Sequence, residues 1–233
     1  MAYPFFILCL LLLFPALLIF ILRRDLRKPM SIVAGLAVPF AFTEFLFYPD
    51  YWEPGCLFDL PAKIGFGIED FLFVSGLGAF TSAVYPFVSR KSMVPMTTAS
   101  DRKSRFRVVV PIAAALGLTA LLYVIQVPII WGCVPIMLII AVGVAVVRPD
   151  LARVSLWGGI LSATSYFFIC LVLGLIIPEV FALNWHAEKF SNIYLAGVPL
   201  EEVAYAFAAG TISSIFFPFA FKHRFQPLNF YGR

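Results

Sequence analysis

Two pairs of adjacent acids stand where an apolar stretch begins: Glu69-Asp70 and Glu201-Glu202. A carboxyl group placed inside a membrane costs several kcal/mol, so such groups are as a rule paired or functional. The plain explanation of each pair is helix capping, because a first helical turn has free N–H groups and a positive dipole end. The same pattern twice, in the same surroundings, favours chemistry. Neighbours on a helix point about 100° apart, so one acid of each pair can face a central pocket while the other caps the helix. Two acids that meet in an apolar pocket cannot both ionise cheaply. One then serves as proton donor and its ionised neighbour as acceptor afterwards. Glu44, in Thr43-Glu44-Phe45, is a third candidate. Its counterpart in the second pattern falls near Ile176, so it breaks the symmetry; its plain explanation is a carboxyl reaching the membrane interface or bonding a neighbouring helix. Phe66, Phe71, Phe73, Tyr205 and Phe207 lie near the acids. They suit an interfacial belt or helix packing, and equally a pocket wall that stabilises a carbocation through cation–π attraction.

The elements that must carry these acids are membrane helices. The chain has 233 residues, 62% hydrophobic and 13% charged, with a mean hydropathy of +0.96. A soluble domain is nearer half apolar and a quarter charged. Crossing a bilayer takes about 20 apolar residues, and seven runs qualify: 4–22, 31–48, 66–88, 108–126, 128–147, 155–177 and 198–221. The fourth and fifth form a hairpin through Gln126, Val127 and Pro128; Pro128 and Pro135 also allow one long broken segment. The first run has its basic cluster (Arg23, Arg24, Arg27, Lys28) behind it, unlike a signal peptide, and reads as a retained helix.

Placing 23–30 in the cytoplasm puts 89–107, 148–154 and the C-terminal tail there too. These segments hold 15 of the 17 basic residues, including Arg102, Lys103 and Arg233, leaving Lys63 and Lys189 outside. This is the positive-inside pattern of an odd number of spans. It predicts an external N-terminus and a cytoplasmic C-terminus. Of the acids, Asp25, Asp101 and Asp150 fall in cytoplasmic loops, and the other ten lie on the outer side.

The acid pairs belong to a longer internal similarity. Tyr51-Trp52, a loop and Gly67-Ile68-Glu69-Asp70 match Asn184-Trp185, a loop and Val198-Pro199-Leu200-Glu201-Glu202. Trp52 precedes Glu69 by 17 residues and Trp185 precedes Glu201 by 16. Both tryptophans read most simply as interface anchors. The expected fold is therefore all-α: one polytopic transmembrane domain over 1–233. Two parallel three-helix repeats, about 4–88 and 128–221, are joined by a connector helix at about 108–126, with a pocket between them.

Other chemistries find no support. The basic charges are scattered between apolar runs, which excludes a nucleic-acid face. Cys9, Cys133 and Cys170 fall inside apolar runs, and only Cys56 lies in an apparently aqueous loop, so neither a disulfide framework nor a zinc site is expected. No span contains a lysine for a retinal Schiff base. His186 and His223 fall on opposite sides, which excludes a di-iron cluster, and nucleotide, flavin and serine-hydrolase motifs are missing. The expectation is a protein without metal or cofactor, performing acid–base chemistry on an apolar substrate, or transport.

At Pro199-Leu200-Glu201-Glu202 the sequence resembles the lycopene cyclase domain family, whose three-helix modules carry a Pro-x-Glu-Glu-like motif. The chain looks like the fused two-module form, over nearly its whole length with the fourth span as connector. It differs in having Gly67 for Pro and Asp70 for Glu in the first motif, and Val203-Ala204-Tyr205 for a Phe-rich run in the second. The resemblance implies a cofactor-free isomerisation of a linear, lycopene-like carotenoid. An acid protonates the terminal double bond of the ψ end group, the internal double bond attacks the tertiary cation, and a base removes a proton to leave a β-ionone ring. It points to Glu201 and Glu69 as leading acid/base candidates, with Glu202, Asp70 and Glu44 beside them and Phe66, Phe71, Phe73 and Tyr205 against the polyene. It also leaves room for contact with other carotenoid-pathway enzymes or a second copy of the chain.

Three alternatives stay open: a hydratase that traps the same cation with water, a proton-coupled small transporter, and a non-catalytic carotenoid scaffold. The absence of an organelle-targeting segment leads us to expect a prokaryotic inner membrane.

Overall fold

The structure, a computed structural model, describes residues 3–96 and 104–228. Asp101, Arg102, Lys103 and Arg233, counted above in the charge pattern, lie outside the described residues.

Among the described residues, seven helices are long and apolar enough to cross a membrane: Pro4–Leu22, Arg24–Leu46, Ile68–Val88, Arg105–Val124, Ile129–Val147, Pro149–Ile176 and Leu200–Ala220. The first is α1 (Pro4–Leu22). The second comprises a 3₁₀ turn (Arg24–Leu26), α2 (Arg27–Ala37) and a long 3₁₀ stretch, Val38–Leu46. After the short α3 (Leu60–Ile64) comes α4 (Ile68–Val88), then strand β1 (Lys91–Pro95), α5 (Ser104–Val124) and α6 (Ile129–Val147). A 3₁₀ turn at Pro149–Leu151 leads into α7 (Ala152–Ile176), followed by the short α8 (Val180–Asn184), the small hairpin β2 (Tyr194–Leu195) and β3 (Val198–Pro199), α9 (Leu200–Ala220) and β4 (His223–Pro227). The fold is an all-α bundle of membrane type. Between α5 and α6 the chain turns at Gln126, which has a φ of 61°; the two runs are separate helices, as the hairpin reading requires.

Residues of the first and second halves of the chain meet across the molecule. At one end, Trp52 and Trp185 form an antiparallel bridge. Glu53 N–H donates to Asn184 O and His186 N–H donates to Tyr51 O, both at 2.8 Å. The indole rings lie 5.1 Å apart. At the other end β1 pairs antiparallel with β4, with Met93 opposite Phe225 at the centre. There Arg23 donates to both oxygens of Asp25 at 2.8 Å and to the carbonyls of Pro86 and Lys91. Arg148 does the same with Asp150 at 2.7 Å and with the carbonyls of Pro218 and His223. The two ends are called below the tryptophan end and the strand end. Strand pairing of the tail with the segment after α4 was not anticipated from the sequence, where both read as plain loops.

The two tryptophans are not interface anchors. They are 7% and 1% exposed and sit in the main apolar core with Phe5, Leu77, Phe80, Tyr166 and Phe181. Trp52 meets Phe5 edge-on at 4.3 Å and Trp185 meets Phe181 at 4.9 Å. Cys56, expected in an aqueous loop, is also buried in this core. The acids beside each indole explain its position, because a buried indole N–H requires an acceptor.

Candidate active-site cavity

The N-termini of α4 and α9 place the acid pairs. Gly67 precedes α4 in extended backbone, and its N–H donates to Asp70 Oδ2 at 2.5 Å, so Asp70 caps the helix. Glu69 is fully buried; its Oε1 accepts from Leu57 N–H at 2.6 Å, and its Oε2 has no partner. Glu201 repeats this arrangement: Oε1 accepts from Ser191 N–H at 2.8 Å, and Oε2 has no partner. The first acid of each pair thus fastens the preceding loop to its helix. The second acid turns inward.

Asp70 and Glu202 open onto one cavity of about 240 Å³, together with Glu44. Its walls come from α2 with its 3₁₀ extension, α4, α5, α6 and α9, with Tyr51, Trp52 and Tyr166 near the acids. From Glu202 the cavity follows α9 as far as Phe216, about 21 Å of helical rise. The remaining wall is mainly apolar: Val33, Leu36, Leu77, Ile140, Ile212 and Phe216 are part of it.

Hydrogen bonds divide the three acids into two groups. Glu202 accepts from Tyr51 Oη at 2.8 Å and Trp185 Nε1 at 3.0 Å on Oε1, and from Tyr166 Oη at 2.8 Å on Oε2. Three donors converging on one carboxyl complement an acceptor-only carboxylate. Glu44 accepts from Trp52 Nε1 at 2.6 Å and shares the cavity wall with Asp70. The two indoles, tilted by 56° to each other, therefore link the two groups, one donating to each. Burial and the neighbouring Glu202 push the Tyr51 phenol well above its ordinary range, which keeps it a donor.

Of the residues expected from the sequence, Glu44, Asp70, Glu202, Phe73 and Tyr205 line the cavity; Glu69, Glu201, Phe66 and Phe71 do not. Glu69 and Glu201 lie off the cavity wall, turned from their neighbours by the roughly 100° that separates adjacent helical side chains. Phe66 and Phe71 pack with Phe42 instead, at 5.0 and 5.3 Å. Phe73 and Tyr205 stack at 6.3 Å with 25° between their planes, one from α4 and one from α9. The sequence reading missed Tyr51 and Tyr166. Tyr166 had a legible signal: a lone tyrosine in the middle of a long apolar helix needs a hydrogen-bond partner for its hydroxyl. Tyr51 had none, since its partner lies 151 positions away.

Three carboxyls, one of them surrounded by donors, beside stacked aromatic faces in an apolar cleft, suit acid–base chemistry on an unsaturated hydrocarbon. Residues 129–220 match the model of the lycopene cyclase family. That stretch contains α6, α7 and α9, with the Glu201-Glu202 pair and Tyr166. No curated protein and no solved structure matches the chain. The seven apolar helices fit a multi-pass membrane protein.

Proposed function

We propose that the protein is an isomerase of the lycopene β-cyclase type, acting without a cofactor on the ψ end group of a linear carotene. One observation carries the reading: Glu44 and Asp70 from one end of the sequence and Glu202 from the other converge on a single apolar, aromatic-walled cavity. The Glu44–Asp70 pair holds the proton and is the general acid. It protonates the terminal double bond, and the internal double bond closes a six-membered ring on the tertiary cation. Phe73 and Tyr205 present ring faces to that cation. Glu202 is the base that removes a ring proton, and Tyr51, Tyr166 and Trp185 hold it in place. One proton enters and one leaves, so mass and oxidation state are unchanged. The acids sit near the tryptophan end, and the polyene extends along the cavity toward the strand end.

In this reading the segments 4–88 and 128–221 are parallel repeats joined by α5. The paired tryptophans, the paired strands and the matching Arg23–Asp25 and Arg148–Asp150 clusters support that relation. The strand end faces the cytoplasm, since Arg24, Lys28, Arg90, Arg153, Lys222 and Arg224 gather there.

The test is product analysis in lycopene-producing cells, comparing the wild type with Asp70→Asn and Glu202→Gln after checking that each reaches the membrane. A new carotene of unchanged mass, missing from both variants, is the expected result. A product heavier by water would replace the cyclase with a hydratase. Unchanged lycopene beside well-expressed wild type would overturn the reading.

A further inference from the structure

A proton has to travel after every turnover. In the cyclase reading the Glu44–Asp70 pair gives a proton to the substrate, and Glu202 takes one from the new ring. The cycle then ends with the proton on the wrong side of the cavity, and a second turnover needs it back. Glu202 is 7% exposed and Asp70 3%, so neither carboxyl stands in bulk water.

The bonds that hold the acids do not carry a proton between them. An indole N–H is a donor only, so Trp52 on Glu44 and Trp185 on Glu202 pass nothing on. Tyr51 and Tyr166 both give their hydroxyls to Glu202, and neither hydroxyl has a second partner among the described residues.

Tyr205, the third tyrosine of the cavity wall, is placed differently. It follows Glu202 by three positions on α9, as Phe73 follows Asp70 by three on α4. Residues so spaced share a helix face, with Cβ atoms about 5–6 Å apart. Helical side chains lean towards the N-terminus of their helix, so each ring leans over the turn that carries its acid. The two rings stack at 6.3 Å with 25° between their planes, which sets Tyr205 between the helix of the base and the helix of the acid. The matched rings differ by one oxygen. Among the described residues the Tyr205 hydroxyl has no hydrogen-bond partner, and it belongs to a residue of the cavity wall. A phenyl ring would present the same face to a cation and avoid an unpaired hydroxyl in apolar surroundings, which costs about 1–3 kcal/mol. A phenol is both donor and acceptor, the property a proton relay requires.

We propose that Tyr205 returns the proton from Glu202 to the Glu44–Asp70 pair between turnovers. Its oxygen accepts the proton of the Glu202 carboxyl and releases its own to the carboxylate of the pair. One O–H bond forms at the phenol and one breaks, so the tyrosine is neutral before and after, and the acids regain their starting forms. This rests on the cyclase reading and gives Tyr205 a second task beside its ring face.

The experiment uses Tyr205→Phe, which keeps the ring and removes the hydroxyl. Wild type and variant, each as the full chain in liposomes with excess linear carotene, are quenched at successive times and the product counted per chain. Unfolding temperatures in detergent confirm that both are folded. The variant should form about one product per chain at the wild-type rate and then slow about tenfold or more, a burst that separates chemistry from reset. Wild type should show no such break. A first turnover slowed as much as the later ones would overturn the proposal, because the hydroxyl would then act in the chemistry itself. Unchanged rates in both phases would overturn it too. If wild type forms no product, the cyclase reading itself falls, and the proposal with it.

Discussion

The helix crossings α2–α4 and α7–α9 occupy equivalent places in the bundle, yet one is loose and the other tight. Gly78 of α4 and Gly210 of α9 mark corresponding points. A Cβ on Gly78 would lie 3.3 Å from the carbonyl of Val33 and from Ala37 Cβ, whereas a Cβ on Gly210 would lie 2.7 Å from the carbonyl of Gly158 and 2.5 Å from Ser162 Cβ. Glycines at 158 and 159 let α7 approach so closely, where small residues let membrane helices gain van der Waals contact. Val33 holds α2 further out, and Pro39 opens the 3₁₀ stretch that carries Glu44. Runs of 3₁₀ helix longer than three or four residues are uncommon and often mark function or strain. One crossing supplies rigidity, and the other gives up packing density beside the cavity.

Four measurements break or sharpen that comparison. The largest effect is expected at the acids. Asp70→Asn and Glu202→Gln should each lower cyclisation about 10²–10⁴-fold, the usual worth of a general acid or base. Glu69→Gln and Glu201→Gln should retain turnover per folded chain and act on loop order instead, read as faster proteolysis at the tryptophan end. Equal losses at all four positions would erase the distinction between inward and fastening acids.

Next comes the space beside Ala41. Ala41→Phe puts bulk into the cavity wall, and turnover should fall about 30-fold or more for lost near-attack geometry. The unfolding temperature in detergent should hold or rise, and a large drop would mean that Ala41 is core rather than cavity wall.

Tyr51→Phe removes one donor to Glu202. A hydrogen bond to a charged group is worth about 1.5–3 kcal/mol, which corresponds to a loss of roughly 10–150-fold in rate. The Tyr51 phenol is shifted upward in the fold, so its neutral donor form, and any stability it gives, is lost only as pH rises above the ordinary phenol range near 10. The alkaline side of the rate profile below about pH 10 should therefore be the same in wild type and Tyr51→Phe. A limb that vanishes in the variant would contradict the assignment.

The smallest effect separates the crossings. Gly210→Ala should cost about 1–3 kcal/mol as an overpacked contact, because backbone must move. Gly78→Ala should cost well under that, because the contacts it meets are a few tenths of an ångström short of comfortable. Thermal unfolding in one detergent compares them directly, and equal costs would contradict the difference in tightness.

Much of this architecture was legible without coordinates. Long apolar runs fix the spans, since lipid leaves the backbone no partner except its own helix. Five spans begin and end within three residues of the expected positions; the second, expected at 31–48, runs Arg24–Leu46, and the sixth, expected at 155–177, runs Pro149–Ile176. The acid pairs were visible too, because charge inside apolar sequence stands out. The choice within each pair was not visible. It depends on the rotation of α4 and α9 about their axes, which their packing sets and the order of letters does not. The burial of the tryptophans was equally hidden, because an indole suits an interface and a core alike until its N–H finds a carboxyl.

Composition, span length, charge bias and the doubled acid motif were thus determined by the sequence itself, through local rules of hydropathy and helix geometry. That Glu44, Asp70 and Glu202 meet and that Tyr51 reaches a partner 151 positions away were decided only by tertiary structure. Those outcomes depend on contacts between distant segments and on how near two helices can come when glycine lies between them.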